Sequence, residues 1–156
     1  MQKQHFNKGP GIHLDILAKN GLIVRSQLSL SKGFCFTLSG DETLLELIYE
    51  GMEAYAHKQE FPKLPLAFNS LTPFQAKVFM ELLKVPFGKC TSYSELASRA
   101  GKQKAPRAVG NACGANPLPL FIPCHRVLAK DYSLGGFSCG LAIKQELLAF
   151  EEINYN

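Results

Sequence analysis

The chain has 156 residues, of which 46% are hydrophobic and 19% are charged, and its formal net charge is +4 at pH 7. This composition excludes a disordered chain and fits one domain, or two small ones, with a buried core. No apolar run approaches a membrane span, and residues 1–6 lack the apolar core of a secretory signal, so we expect a cytoplasmic protein that does not enter a membrane. The odd number of cysteines, five, fits free thiols in a reducing compartment.

The positive charge lies in the second half of the chain. Residues 1–71 hold seven Lys or Arg and seven Asp or Glu, whereas residues 72–156 hold ten and six. A basic surplus of this kind fits a polyanionic partner such as nucleic acid, although ordinary solvated surfaces also carry one.

The first third of the chain has the alternating pattern of a β-sheet. Residues 1–11 show no periodicity and are expected to form a loose lead-in. From Ile12 onward apolar and polar residues alternate in two runs, and the Asn-Gly pair at 20–21 between them predicts a hairpin. Residues 34–38 predict a third strand, and helical spacing over 44–57 predicts an amphipathic helix against the sheet.

Two prolines in the aperiodic segment 61–71 predict a linker between two domains. We therefore divide the chain into a strand-rich N-terminal domain, 1–66, and a mostly helical C-terminal domain, 72–156. The second domain opens with a capping box and an N1 proline at 72–75, followed by a helix that ends before the Pro-Phe-Gly at 86–88.

The next two predicted helices have the spacing of a helix-turn-helix. Ser92 and Glu95 form a second capping box, and Gly101 ends the short helix that follows. The third helix, 106–115, is rich in small residues, which permit close approach to a minor groove. The same small residues also fit tight helix packing without DNA. The candidates for DNA contact on this helix are Ala108, Gly110, Ala112 and Gly114.

An apolar run, 118–122, leads into Pro-Cys-His-Arg at 123–126. A cysteine is a nucleophile as its thiolate, and a neighbouring imidazole and guanidinium favour that form, so Cys124 is a candidate nucleophile. A buried structural cysteine at a strand end is the alternative. After this motif come a loop, 128–139, and a closing helix, 141–153.

Metal sites are not indicated by the sequence. A zinc deaminase needs Pro-Cys-x-x-Cys and an upstream His-x-Glu, and the chain has neither. No Cys-x-x-Cys pair exists for a structural zinc. His5, His13 and His57 are scattered, and we interpret them as surface residues and not as ligands with Cys35.

Six motifs in the second half resemble the O6-alkylguanine-DNA alkyltransferase family in order and spacing. The resemblance extends from about residue 74 to residue 151, roughly half the chain. The motifs are Phe74-Gln75, Pro86-Phe87-Gly88, Ser92-Tyr93, Arg107-Ala108-Val109-Gly110, Asn116-Pro117 and Ile122-Pro123-Cys124-His125-Arg126-Val127.

The resemblance implies a mixed α/β (α+β) fold, with a ribonuclease-H-like sheet-and-helix domain followed by a helical domain with a helix-turn-helix. It implies a monomer that acts on double-stranded DNA containing O6-alkylguanine. The expected activity is direct repair, in which an alkyl group, mainly methyl, moves from guanine O6, and also from thymine O4, to the protein. No metal or organic cofactor is implied.

The resemblance also implies the chemistry. Cys124 would accept the alkyl group, and His125 would take the thiol proton through a bridging water. Glu151 would hold the imidazole tautomer and stabilise its charge. Because a thioether is not hydrolysed in the cell, each molecule would act once.

Three further residues match positions that act on the DNA in this family. Arg107 would fill the place that the extruded base leaves in the stack. Tyr93 would crowd the target phosphate and donate to guanine N3, and Asn116 would tie the recognition helix to the active-site strand. Without the family, these residues fit a phosphate contact, a core tyrosine and a simple turn.

The implied substrate pocket uses Cys124, Val127 and Ser138 backbone groups to bind the guanine edge, with Phe137 and Cys139 as its wall. The family usually has tyrosine where Phe137 stands and glycine where Cys139 stands. We therefore expect a narrower pocket that accepts methyl and disfavours bulky groups.

Two other functions compete with repair. An alkylguanine-binding protein without transfer activity would lack the cysteine, whereas Cys124 is present. A cysteine hydrolase would turn over repeatedly and would not need the element at 107–117.

Overall fold

The computed structural model describes residues 2–156 and has the predicted mixed α/β fold. Met1, the first residue of the predicted lead-in, lies outside the described residues. Single turns of 3-10 helix are formed by Glu42–Leu44 and Cys124–Arg126. The strands are β1 (Lys3–His5), β2 (Ile12–Lys19), β3 (Leu22–Leu30), β4 (Cys35–Gly40), β5 (Thr91–Ser92) and β6 (Val127–Leu128). The helices are α1 (Leu45–Ala56), α2 (Pro73–Leu82), α3 (Tyr93–Arg99), α4 (Pro106–Gly114) and α5 (Leu141–Phe150).

The N-terminal sheet has the strand order β1-β4-β2-β3. The predicted hairpin forms β2 and β3, and its turn residues Asn20 and Gly21 both have positive φ, 51° and 77°. Strand β4 returns parallel to β2. The expected loose lead-in is wrong for Lys3–His5, which pairs antiparallel with β4 because the edge of that strand is otherwise open. The sheet with its helix confirms the fold class, while its ribonuclease-H-like character stays a prediction.

Both halves of the chain contribute to a single buried cluster. The inward residues of β2, such as Ile12 and Leu14, pack with Ile48 and Met52 of α1, and the same cluster includes Val78 of α2 and other C-terminal residues. The predicted division at residues 66 and 72 stays a prediction, but apolar packing joins the segments on either side of it.

The predicted linker, 61–71, packs along the sheet. Ile23 N donates to Pro65 O at 2.7 Å, and Ala67 N donates to Ile23 O at 2.9 Å, so this segment extends the sheet beyond β3. Leu64, Leu66 and Phe68 pack against the core, which accounts for the order of a segment that lacks periodicity.

The predicted caps of the C-terminal helices are confirmed. Thr72 and Gln75 form the reciprocal capping box of α2, and the Ser92 side chain caps α3 by accepting from Glu95 N. Helices α3 and α4 pack against each other after a short connection, 100–105. That arrangement is compatible with a helix-turn-helix, which stays a prediction. Among residues 2–156, no helix combines the length and the apolar character needed to cross a membrane.

Strand β3 also fixes the segment that leads into Cys124. Ser26 N donates to Pro117 O at 2.9 Å, and its buried Oγ donates to Pro119 O at 2.8 Å. This segment was expected to be a strand, but only an isolated bridge between Pro119 and Ile122 forms, and Cys124 begins a 3-10 turn. Two hydrogen bonds from Ser26 therefore hold this segment against β3, where a regular strand pairing is absent.

Ser26→Ala should lower the free energy of unfolding by about 1–3 kcal/mol, because it leaves the buried Pro119 carbonyl without its donor. Chemical denaturation of the variant and the parent measures this difference. Ser29→Ala, on an exposed position of the same strand, is the matched control and should change stability by less than about 0.5 kcal/mol. Equal effects of the two substitutions would contradict the assigned role of Ser26.

Candidate active site

A cavity of about 600 Å³ opens beside Cys124, between α4 and the loop before α5. Its lining includes seven of the fourteen residues predicted for the site. The other seven are not among the lining residues: Ala108, Ala112, Asn116, His125, Val127, Cys139 and Glu151. The cavity is lined by Tyr93, Pro106, Arg107, Gly110, Cys113, Gly114, Cys124, Gly136, Phe137 and Ser138.

Asn116 holds the Cys124 sulfur directly. Its Nδ2 donates to Cys124 Sγ at 2.9 Å and to Ile122 O at 2.9 Å, while its Oδ1 accepts from Leu118 N at 2.9 Å. These three hydrogen bonds hold Asn116, which follows α4, to the segment that leads into Cys124. Its role as a tie between a recognition helix and the active site stays a prediction. In addition, the amide donor would stabilise a negative charge on the sulfur.

The Cys124 thiol is protonated in this arrangement. Burial raises its pKa well above the usual value, and the neighbouring Cys113 thiol raises it further, against the opposing effects of Asn116 and Lys144. The expectation that the Arg126 guanidinium favours the thiolate is wrong, because that group lies on Glu151 instead. The thiol therefore needs a proton acceptor before it can react.

His125 is the candidate for that acceptor. Its ring is fully buried, and Nε2 lies 2.5 Å from Glu151 Oε2. Burial lowers the pKa of His125, and the charge of Glu151 offsets part of that decrease. The imidazole is therefore neutral, and it donates its Nε2 proton to the carboxylate. Nδ1 then carries a free lone pair, and it is the one buried side-chain nitrogen or oxygen among residues 2–156 with no hydrogen-bond partner.

Glu151 accepts four hydrogen bonds from three parts of the chain. Besides His125, Arg126 Nε donates to Oε1 at 2.7 Å, Tyr55 OH donates to Oε2 at 2.8 Å, and Gly88 N donates to Oε1 at 3.3 Å. Burial alone would raise the pKa of Glu151, but His125 and Arg126 outweigh burial and lower the pKa to about 2. The carboxylate is therefore ionised at neutral pH.

Lys144 is a buried cation that sequence reasoning missed. Its Nζ donates to Val127 O at 2.7 Å, to Gly136 O at 3.1 Å and to Leu134 O. Burial lowers its pKa to about 8. The signal in the sequence was a lysine beside Ile143 on the apolar face of the last helix, a position where a charge is costly unless it is paired.

The loop before α5 forms the opposite wall of the cavity. Tyr93 OH donates to Gly136 O at 3.5 Å, and a Cβ on Gly135, whose φ is +66°, would lie 2.8 Å from the same hydroxyl oxygen. Phe137 and Ser138 line the cavity, whereas Cys139 is not among the lining residues. The expected narrowing of the pocket by Cys139 is therefore not supported by its position.

The small-residue helix presents only part of its surface to solvent. Arg107, in the first turn of α4, is exposed at the edge of the cavity, and so is Gly114 near the end of the helix. Ala112 is 4% exposed and packs in the core, so it is a packing residue and not an accessible DNA contact. Ala108 and Gly110 are half-buried.

The comparisons with known proteins show the family of the chain. The family model described as "6-O-methylguanine DNA methyltransferase, DNA binding domain" matches residues 73–153. The chain belongs to the methylated-DNA–protein-cysteine methyltransferase family. It is 51% identical over 106 residues to a probable member from Acanthamoeba polyphaga mimivirus, an alignment that covers 67% of this chain and 70% of the relative.

Other relatives extend the match into the N-terminal half. A methylated-DNA–protein-cysteine methyltransferase from Haemophilus influenzae is 37% identical over 149 residues, covering 79% of this chain and 83% of the relative. The crystal structure of Mycobacterium tuberculosis OGT in complex with DNA superposes with a TM-score of 0.70 at 27% identity, covering 90% of this chain and 93% of that one.

The residues that match the family model, 73–153, include every predicted site residue. Tyr55, which was not predicted, lies outside that range. Tyr55 was missed because it occupies an ordinary apolar position of α1, and only the fold brings it to Glu151, 96 positions later. Arg126 belonged to the predicted motif, but the sequence could not show that it serves the carboxylate and not the thiol.

Glu151→Gln should lower the free energy of unfolding by about 3–5 kcal/mol, because it leaves the buried Arg126 guanidinium without its counter-ion. Equilibrium denaturation monitored by circular dichroism measures the loss. Glu152→Gln is the matched control, since Glu152 is exposed and makes only a surface ion pair with Lys58, so its effect should stay within about 0.5 kcal/mol. A similar loss in both variants would refute the central position of Glu151.

Proposed function

We propose that this chain repairs DNA by moving an alkyl group, mainly methyl, from guanine O6, and also from thymine O4, to Cys124. The observation that carries the proposal is the placement of Cys124 beside an open cavity, with Asn116 on its sulfur and the buried His125–Glu151 pair next to it. Membership of the methyltransferase family supports the same reaction.

The reaction begins with a proton transfer. Since Cys124 is a thiol at rest, its proton passes through a water to His125 Nδ1, the nitrogen that has no protein partner. Glu151 then stabilises the imidazolium that forms. Asn116 Nδ2 stabilises the thiolate, so a negative sulfur is produced next to a donor and not in a purely apolar site.

The thiolate attacks the alkyl carbon on the side opposite O6. A carbon–sulfur bond forms, the carbon–oxygen bond breaks, and its electron pair passes to the guanine. Tyr93 lines the same cavity, and burial raises its pKa, so its hydroxyl stays protonated and can donate to guanine N3. The product is a thioether at Cys124, and no step regenerates the thiol, so each molecule reacts once. No step requires a metal ion or an organic cofactor.

The target base must leave the double helix to reach a buried sulfur. Arg107 is exposed at the rim of the cavity, where it can occupy the vacated place in the stack. Gly110 and Gly114 line the same side and let the helix approach the minor groove closely. A surface of this kind contacts the DNA backbone and shape and not a base sequence, which suits a protein that must find damage anywhere.

Incubation with a duplex that contains one O6-methylguanine should add about 14 Da, one methyl replacing one hydrogen, to each protein molecule at Cys124. Intact-protein mass spectrometry and peptide mapping measure the adduct. Cys124→Ser should accept no methyl, because a serine hydroxyl is scarcely ionised at neutral pH, while Cys90→Ser, outside the cavity, should behave as the parent does. Binding without an adduct would indicate a damage-recognition protein, and repeated turnover would indicate a hydrolase.

Arg107→Ala should slow repair of a duplex lesion by roughly 10- to 100-fold, since base extrusion costs a few kcal/mol, and should leave the reaction with free O6-benzylguanine nearly unchanged. Rates of Cys124 alkylation on the two substrates give the comparison. The control is Arg25→Ala, because Arg25 lies in β3 and does not line the cavity. Equal losses on duplex and free base would assign Arg107 to the fold or to the reaction centre.

A further inference from the structure

Cys113 is a second thiol in the cavity and has no part in the proposed transfer. It lies one residue before the end of α4, is half-buried, and lines the same wall as Cys124. The two thiols are close enough to form a side-chain hydrogen bond. Asn116 contacts both residues, because its N donates to the backbone carbonyl of Cys113 at 3.2 Å and its Nδ2 donates to Cys124 Sγ at 2.9 Å.

We propose that Cys113 and Cys124 form a reversible disulfide when the protein meets a hydroperoxide, so that the pair is an oxidative modification site. Cys124 begins a 3-10 turn and Cys113 lies in the last turn of α4, so both are at element ends where a small shift is tolerated. Closing a hydrogen-bonded thiol pair to an S–S bond of about 2 Å requires the two sulfurs to approach each other with the torsion angle of a disulfide.

Cys113 is the thiol that meets the oxidant first. It is more exposed than Cys124, and the hydrogen bond from the Cys124 thiol, together with the charge of Lys144, lowers its pKa despite burial. By contrast, burial raises the pKa of Cys124. Since the thiolate is the form that reacts with peroxides, the accessible partner is also the more reactive one.

The chemistry balances with one hydroperoxide for each disulfide. The Cys113 thiolate attacks the terminal peroxide oxygen, the O–O bond breaks, and the released alkoxide takes a proton to become an alcohol. Cys124 then attacks the sulfur of the Cys113 sulfenic acid, and the S–O bond breaks as the hydroxide leaves with the Cys124 proton as water. Two thiols lose two electrons in total, and the peroxide gains them.

A disulfide of this kind would protect a thiol that is used only once. An isolated Cys124 would oxidise to sulfinic and sulfonic acids, which ordinary reductants do not reverse. In the disulfide Cys124 accepts no alkyl group, but a dithiol reductant restores it by exchange. This consequence rests on the proposed function, whereas formation of the disulfide does not.

The test uses the full chain, treated with hydrogen peroxide, blocked with iodoacetamide and digested with trypsin. Peptide 108–126 contains Cys113 and Cys124 and no other cysteine. It should appear without alkylation and about 2 Da lighter than its reduced form, through the loss of two hydrogens, and dithiothreitol should reverse the change. Methyl acceptance from an O6-methylguanine duplex should fall with the yield of this peptide and return on reduction.

Two variants separate the proposal from general oxidation. Cys113→Ser should give no light peptide, and peroxide should then oxidise Cys124 to acids that dithiothreitol does not reverse. Cys90→Ser should behave as the parent. The proposal is overturned if the parent gives Cys124 acids without the light peptide, if Cys124 pairs with another cysteine, or if Cys113→Ser recovers as fully as the parent.

Peptide mapping of the parent decides the matter even if Cys113→Ser does not fold. Failure of the proposed function has a different signature. Untreated, reduced protein would then accept no methyl group, while the mass of peptide 108–126 would still report whether the disulfide forms.

Discussion

The active site depends on the burial of one carboxylate. Glu151 is 2% exposed, so its charge is tolerated only because it accepts four hydrogen bonds, two of them from potentially cationic groups. The donors come from α1, from the turn after α2 and from the Cys124–Arg126 turn. No single segment can satisfy this carboxylate alone. The carboxylate beside His125 therefore has its full set of donors only when the N-terminal half, which supplies Tyr55, is assembled with the C-terminal half. The sheet-and-helix half thus contributes a direct contact to the candidate site.

Burial of Cys124 opposes the formation of its thiolate, and two neighbouring polar groups favour the thiolate. A desolvated sulfur holds its proton, so the thiol is a weak nucleophile at rest. Asn116 and Lys144 act in the other direction and reduce the cost of forming the thiolate. In the proposed mechanism the neutral imidazole of His125 takes this proton. The site therefore stores a thiol and generates the nucleophile on demand, a balance suited to a residue that is consumed when it reacts.

Local patterns predicted the local structure well. The hairpin at Asn20 and Gly21, the caps at Thr72 and Ser92, and the limits of α4 all follow from interactions between residues a few positions apart. The same reasoning missed β1 and the packed segment 61–71, because their order comes from pairing with distant strands. It missed Tyr55 and Lys144 for a related reason. Each sits on an apolar helix face, and only the assembled fold shows that its polar end meets a carboxylate or a set of carbonyls.

Lys144 connects the two sides of the cavity. Its ammonium group donates to three backbone carbonyls. One lies on β6, directly after the Cys124–Arg126 turn, and two lie on the loop that carries Phe137. Since an ammonium has three protons and a neutral amine only two, the full set of contacts requires the charged form. The same charge favours the ionised form of both cavity thiols, and at Cys124 it opposes the rise in pKa that burial causes. One buried cation therefore holds the loop against the active-site turn and favours the thiolate, so the shape of the cavity and the reactivity of Cys124 depend on the same proton.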